Sequence, residues 1–164
     1  MKILIISDTH GFLWYLNEVL KKVGPIDMLI HCGDIQKDEE PVKIAVNCPV
    51  YMVAGNNDLG TLLEKEIFLD IGKYHIMVTH GHRYSVGYGL DMLAASAKKK
   101  GADIVMFGHT HVPLIKKIDN VTLVNPGSIT IPRQSGRRPS YAFMEIDRDG
   151  EAHFTVAELM QEQA

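Results

Sequence analysis

Cysteine is scarce: Cys32 and Cys48 are the only two in 164 residues, and they are not arranged as Cys-x-x-Cys. A disulfide framework is therefore excluded, and both are expected to be small apolar side chains in a reducing compartment. Long apolar runs are missing too, since no stretch approaches the roughly 20 residues of a membrane-spanning helix. The opening run Ile3-Leu4-Ile5-Ile6 meets Ser7-Asp8 too soon to be a signal-peptide core. The expectations that follow are no membrane association and a cytoplasmic location. Charge of one sign is also lacking, because a net −3 gives no electrostatic reason for bulk nucleic-acid binding. The one local basic stretch, Arg133 to Arg138, reads plainly as a solvated loop.

No repeat, linker or low-complexity segment interrupts the chain. With 46% hydrophobic and 23% charged residues the composition is that of a folded domain, expected to span 1–164 as one unit. Short β-branched runs predict strands at 3–6, 28–30, 50–53, 67–70, 75–79 and 104–107. Between them, helical spacing predicts helices at 12–23 (Leu13, Leu16, Leu20 and Val23 on one face), 38–46 and 89–100. After residue 110 the pattern turns to strands, at 114–118, 122–124, 141–146 and 152–159. Asp119-Asn120 and residues 147–150 supply hairpin turns.

Five short clusters carry the chemistry, each directly after an apolar run: Asp8-Thr9-His10, Gly33-Asp34, Gly55-Asn56-Asn57-Asp58, His80-Gly81-His82 and Gly108-His109-Thr110-His111. Strands ending at one edge of a sheet deliver their last side chains into one crevice. In an extended segment residues two apart point the same way, so Asp8 with His10, and His109 with His111, can each reach one ion. Asp8 could instead cap the first helix. Acidic and imidazole groups gathered in one crevice are costly unless a cation compensates them. His31, His75 and His153 lie in ordinary strand patterns and are expected to pack.

In this order the clusters resemble the calcineurin-like metallophosphoesterase superfamily. The short spacing and the later Asn125-Pro126-Gly127-Ser128 resemble its small single-domain, YfcE-type phosphodiesterase branch. The resemblance implies an α/β fold, a four-layer α/β/β/α sandwich of two mixed sheets flanked by helices. It implies two divalent metal ions, one on Asp8, His10 and His111 and the other on Asn56, His80 and His109. Asp34 and a hydroxide would lie between them. Mixed nitrogen and oxygen ligation suits manganese foremost, with iron, zinc, nickel or cobalt as alternatives. The function implied is a dinuclear-metal-dependent phosphodiesterase. The bridging hydroxide would attack phosphorus in line, in a small phosphodiester substrate and without a covalent intermediate.

Catalytic roles are expected for Asn57, Asp58 and His82, and substrate contacts for Asn57, Arg83, Asn125 and Ser128. Many members of the superfamily carry histidine, as proton donor to the leaving group, where this chain has Asn57, and the small branch often has cysteine. Asparagine supplies no titratable proton, although it can hydrogen-bond a phosphate oxygen. His82, metal-bound water or an undemanding leaving group are the accounts that remain. Two rivals stand beside this reading: a catalytically weak or inactive metal-binding scaffold of the same fold, and a nuclease acting on long polymers. The weak charge and the missing aromatic-basic stripe count against nucleic acid. A homo-oligomer is compatible with the apolar content.

Overall fold

The apolar runs become strands, and their alternation decides the layering. In the computed structural model, which describes residues 1–160, the chain forms β1 (Lys2–Ile6), α1 (Trp14–Val23), β2 (Met28–His31), α2 (Glu39–Ile44), β3 (Val50–Met52), β4 (Glu66–Ile71) and β5 (Tyr74–Thr79). There follow α3 (Asp91–Lys99), β6 (Ile104–Met106), β7 (Pro113–Ile118), β8 (Val121–Pro126), β9 (Ser140–Ile146) and β10 (Ala152–Glu158). Residues 161–164, the end of the expected 1–164 domain, lie outside the described residues. Short 3-10 turns at Gln36–Asp38 and His82–Tyr84 complete the elements.

Two five-stranded sheets result, ordered β10-β9-β1-β2-β3 and β4-β5-β6-β8-β7. Both are mixed: β1-β2-β3 and β5-β6-β8 run parallel, while β9, β10, β4 and β7 pair antiparallel at the sides. Residues i and i+2 of a strand share a face, so each parallel strand feeds two cores. Ile3, Ile5 and Ile30 meet Ile76, Val78, Ile104 and Met106 between the sheets. Leu4, Ile6 and Leu29 face the other way, onto Leu16 and Val19 of α1 and Val42 of α2. Met77, Val105 and Leu123 pack on Leu93, Ala94 and Ala97 of α3. These three cores define four layers, α/β/β/α, as expected.

The elements depart from expectation at their ends. α1 starts at Trp14, not residue 12, because Phe12 N–H donates to the Thr9 carbonyl (3.0 Å) in the turn that carries His10. Its N-terminus has no side-chain cap, so Asp8 does not serve as one. The β7–β8 hairpin closes on Asp119 (φ +48°) and Asn120 (φ +68°), a two-residue turn whose left-handed backbone suits short polar side chains. Among the described residues no helix is long and apolar enough to cross a membrane.

One histidine belongs to the core. His31 is fully buried at the end of β2, where Nδ1 accepts the Gly33 N–H and Nε2 contacts Thr9 Oγ1, each at 3.1 Å. A backbone N–H can only donate, so Nε2 carries the proton of the neutral ring. Burial pushes its pKa from 6.5 down to about 3. Below pH 6.5 the unfolded chain takes up a proton here that the folded chain refuses, and stability falls with pH. Denaturant unfolding of the metal-free protein between pH 6 and pH 4 should show this slope. In His31→Gln the slope should be shallower by up to about 1.4 kcal/mol per pH unit.

Candidate metal centre

The loops that follow β1, β2, β3, β5 and β6 meet at one edge, where both sheets contribute. Pairing continues beyond the strands: Asp8 N–H donates to the Gly33 carbonyl and His10 N–H to the Asp34 carbonyl, both at 3.0 Å. Across to the second sheet, His109 N–H donates to Asp8 Oδ2 (3.2 Å) and Gly108 N–H to the His80 carbonyl (3.1 Å). Asp8 with His10, and His109 with His111, do share a site, but not through extended backbone. Their φ values are +57°, +46°, +70° and +60°, and Asp34 lies at +57°. Side-chain-bearing residues are rarely held in this region outside functional sites.

Close approach makes the arrangement possible. A Cβ added to Gly55 would lie 2.1 Å from Asp34 Oδ1 and 2.4 Å from the Asp34 amide nitrogen. One added to Gly108 would lie 2.0 Å from Ser7 Oγ and 2.8 Å from Asp8 Oδ2. Only glycine lets the β3 and β6 loops pass this near to the two aspartates.

Donor atoms of Asp8, His10, Asp34 and His111 all lie within 4.8 Å of one another. His111 Nε2 is 3.1 Å from Asp8 Oδ1, and His10 Nε2 is 3.8 Å from both Asp8 Oδ1 and Asp34 Oδ2. His80 Nε2 stands 3.4 Å from Asp34 Oδ2 and 4.0 Å from Asp8 Oδ1. The His109 ring lies edge-on to that of His80, centroids 5.2 Å apart. Two imidazoles are oriented by main-chain carbonyls: His80 Nδ1–H donates to Cys32 O (2.8 Å) and His111 Nδ1–H to Ile131 O (2.6 Å). In the neutral rings each Nε2 then presents a lone pair toward a carboxylate. Asp8 Oδ1, His10 Nε2 and His80 Nε2 are buried with no hydrogen-bond partner, and no lysine or arginine of the described residues pairs with either aspartate. Nitrogen and oxygen donors, no sulfur, and second ring nitrogens held by carbonyls fit a divalent cation.

The electrostatics agree. Burial raises the Asp8 carboxyl, but hydrogen bonding from His111 and the charge of His80 hold it below the ordinary value. Asp34 is likewise opposed by burial, yet His80 and two donors from Asn57 hold it well below the carboxylate range. Burial lowers His80, while Asp34 and Asp8 raise it further, to a net value above the ordinary one. His109 and His82 are pushed below it, by burial first and then by His80.

The remaining expected residues divide. Asn57 donates N–H and Nδ2–H to the two oxygens of Asp34 (2.9 and 2.7 Å). Asp58 caps no helix: it accepts Gln36 N–H (2.5 Å) and Gly55 N–H (2.7 Å), tying the β2 loop to the β3 loop. Asn56 is exposed and makes no side-chain hydrogen bond among the described residues. The His82 ring lies tilted beside those of His80 and His109, centroids 5.4 and 6.0 Å away, and Arg83 next to it is exposed. Asn125 and Ser128, expected to touch substrate, are fully buried. Asn125 donates to Gly108 O (2.9 Å) and Thr110 Oγ1 (3.0 Å) and accepts Gly127 N–H (2.8 Å). Ser128 Oγ donates to Asp8 O (2.9 Å). Both fasten the loops from beneath. The carbonyls of Cys32 and Ile131 and the side chain of Gln36, 3.4 Å from His10 Nδ1, complete the surroundings. No sequence pattern marks a main-chain oxygen.

Comparison with known proteins agrees with this geometry. The family model of the calcineurin-like phosphoesterase superfamily domain matches residues 1–149. The probable metallophosphoesterase YsnB of Bacillus subtilis is 34% identical over 150 residues, covering 91% of this chain and 86% of the relative. The phosphodiesterase MJ0936 of Methanocaldococcus jannaschii is 30% identical over 148 residues, covering 77% and 83%. A conserved Streptococcus pneumoniae protein, described with its crystal structure as a predicted phosphoesterase, superposes with a TM-score of 0.77 at 28% identity, covering 96% and 97%.

Imidazole ligands must be neutral to bind metal, so apparent affinity for manganese should fall as pH drops and protons compete for the histidine nitrogens. In Gly55→Ala the displaced Asp34 should weaken manganese binding roughly 10- to 100-fold at any one pH, the usual cost of disturbing a ligand's support. Calorimetric titration of the metal-stripped proteins at several pH values measures both.

Proposed function

Because the chain belongs to the calcineurin-like phosphoesterase superfamily and is a phosphoric ester hydrolase, we propose that it is a dinuclear-metal-dependent phosphodiesterase acting on a small phosphodiester. One observation carries this reading: the buried Asp8 Oδ1, His10 Nε2 and His80 Nε2 converge without a partner. Asp8, His10 and His111 would hold one ion and Asn56, His80 and His109 the other, with Asp34 shared. Manganese is the foremost candidate, and iron, zinc, nickel or cobalt also suit these donors. Two divalent ions there would supply Lewis acidity at the phosphoryl oxygens and an activated water for in-line attack on phosphorus.

The protein's own residues set the rest. Two aspartates against two divalent charges leave the centre net positive and attractive to a phosphodiester anion. Asn57 fixes Asp34 by one amide hydrogen and its main-chain N–H, which leaves the second amide hydrogen for a phosphate oxygen. Asp58 keeps Gly55 and Gln36 in place and thereby the two loops that carry Asp34 and Asn57. Burial, and then the neighbouring His80 and His109, push His82 below the ordinary histidine value. It acts as a hydrogen-bonding neighbour of the substrate, and the departing alkoxide receives little help. Little length lies between the ligand-bearing clusters for a cap over the centre, and an open site favours a diester over an enclosed monoester.

Metal-stripped protein reloaded with manganese should hydrolyse bis(p-nitrophenyl) phosphate faster than p-nitrophenyl phosphate. Asp34→Ala should lose at least roughly 100-fold of that rate, since it removes the shared ligand. Across aryl methyl phosphates, rates should fall steeply as leaving-group pKa rises, and a flat series would show that protonation is supplied after all. Metal binding with no turnover of either ester would favour the scaffold.

A further inference from the structure

The arginine stretch that reads as a solvated loop in the sequence is built onto the metal centre. His111 grips it twice: its Nδ1–H donates to Ile131 O (2.6 Å), and its own carbonyl accepts Arg133 N–H (3.0 Å). The base of the loop is fixed to Asp8 through Ser128, whose Oγ donates to Asp8 O (2.9 Å) and accepts the N–H groups of Thr130 (3.1 Å) and Ile131 (2.7 Å). Arg133 is thus hydrogen-bonded directly to one residue of the centre and lies on a segment anchored to another.

The tip of the loop carries the second arginine. Arg137 N–H donates to Gln134 O (3.0 Å), with Gly136 at φ +80° and Arg137 at φ +42°. The left-handed region is unfavourable for a long side chain, a cost glycine would avoid. The three arginines are not equivalent. Arg138 is engaged, with Glu158 at 3.5 Å and Met160 Sδ at 3.4 Å. Arg133 and Arg137 are exposed, and among the described residues their side chains have no hydrogen-bond or ion-pair partner. Two guanidinium groups without a partner among the described residues are therefore carried on a loop that His111 and Ser128 fasten to the centre, in a chain whose net charge is −3. The guanidinium fork matches a phosphate group through paired N–H donors.

We infer that Arg133 and Arg137 form a subsite for a second phosphate group of the substrate. The preferred diester is one that bears a further phosphate near the scissile one, as in a nucleotide phosphorylated at two positions. This rests on the phosphodiesterase reading for its chemistry, although the binding step can be measured alone.

The test uses the manganese-loaded full-length protein and two chromogenic diesters, the p-nitrophenyl ester of thymidine 5′-phosphate and the same ester carrying a 3′-phosphate. The 3′-phosphorylated ester should show a kcat/KM higher by roughly ten-fold or more at low salt, the worth of one charge-assisted hydrogen-bonded pair. That preference should collapse toward unity in the double variant Arg133→Gln, Arg137→Gln. It should persist in Arg138→Gln, which also removes a positive charge from the loop. Calorimetry with thymidine 3′,5′-bisphosphate and thymidine 5′-phosphate gives the same comparison without turnover. If neither diester is hydrolysed but the bisphosphate binds more tightly in the wild type and not in the double variant, the subsite stands and the phosphodiesterase reading falls. Equal kcat/KM and equal affinities in the wild type, or a preference that survives in the double variant, would overturn the subsite.

Discussion

Two carboxylates, Asp8 and Asp34, are buried against imidazole nitrogens with no lysine or arginine to neutralise them, and most of the surrounding structure answers that constraint. An unpaired buried charge is among the most costly features a fold can hold. Here the cost is met in part by main-chain and amide donors, His109 N–H on Asp8 and Asn57 on Asp34, and by the imidazoles of His80 and His111 beside them. What remains unpaired faces inward, toward a common point. The converging donors are those a divalent cation would bind, and the phosphoesterase chemistry of the chain's family is metal-dependent.

The two-sheet architecture is what lets donors from distant parts of the sequence share that point. β1, β2 and β3 bring Asp8, His10, Asp34 and Asn57 from one sheet, while β5 and β6 bring His80, His109 and His111 from the other. Neither sheet holds enough donors alone. The inter-sheet core of Ile3, Ile5, Ile76, Val78, Ile104 and Met106 therefore fixes the separation of the two donor sets as well as stabilising the fold. A cavity made there would be felt at the metal centre through the strands themselves.

Much of this was legible because strands and metal-binding side chains both leave strong marks in a sequence. The runs that became β1, β2, β5 and β6 are mostly apolar, and each is followed within three residues by aspartate or histidine. Where the reading fell short, the deciding forces were local backbone geometry and main-chain atoms. Asp8 with His10 was expected to share a side through extended backbone, yet both sit in the left-handed region. Residue 12 was placed in a helix that begins at Trp14, because a turn closed by Thr9 competes for the same backbone. Asn125 and Ser128 tie neighbouring loops together from buried positions, contacts that no sequence pattern marks. The 3-10 turn at His82–Tyr84 is too short to leave a periodicity.

The carbonyl that orients His111 belongs to Ile131, whose side chain is exposed. Nearly every amino acid offers the same oxygen, so evolution is free to exchange this residue without disturbing the imidazole it holds. What the loop cannot tolerate is an insertion or deletion between Ser128 and Arg133, which would shift the oxygen out of register with the histidine. Across descendants of this protein, that segment is expected to drift in identity while keeping its length, a form of constraint that residue-by-residue comparison would pass over.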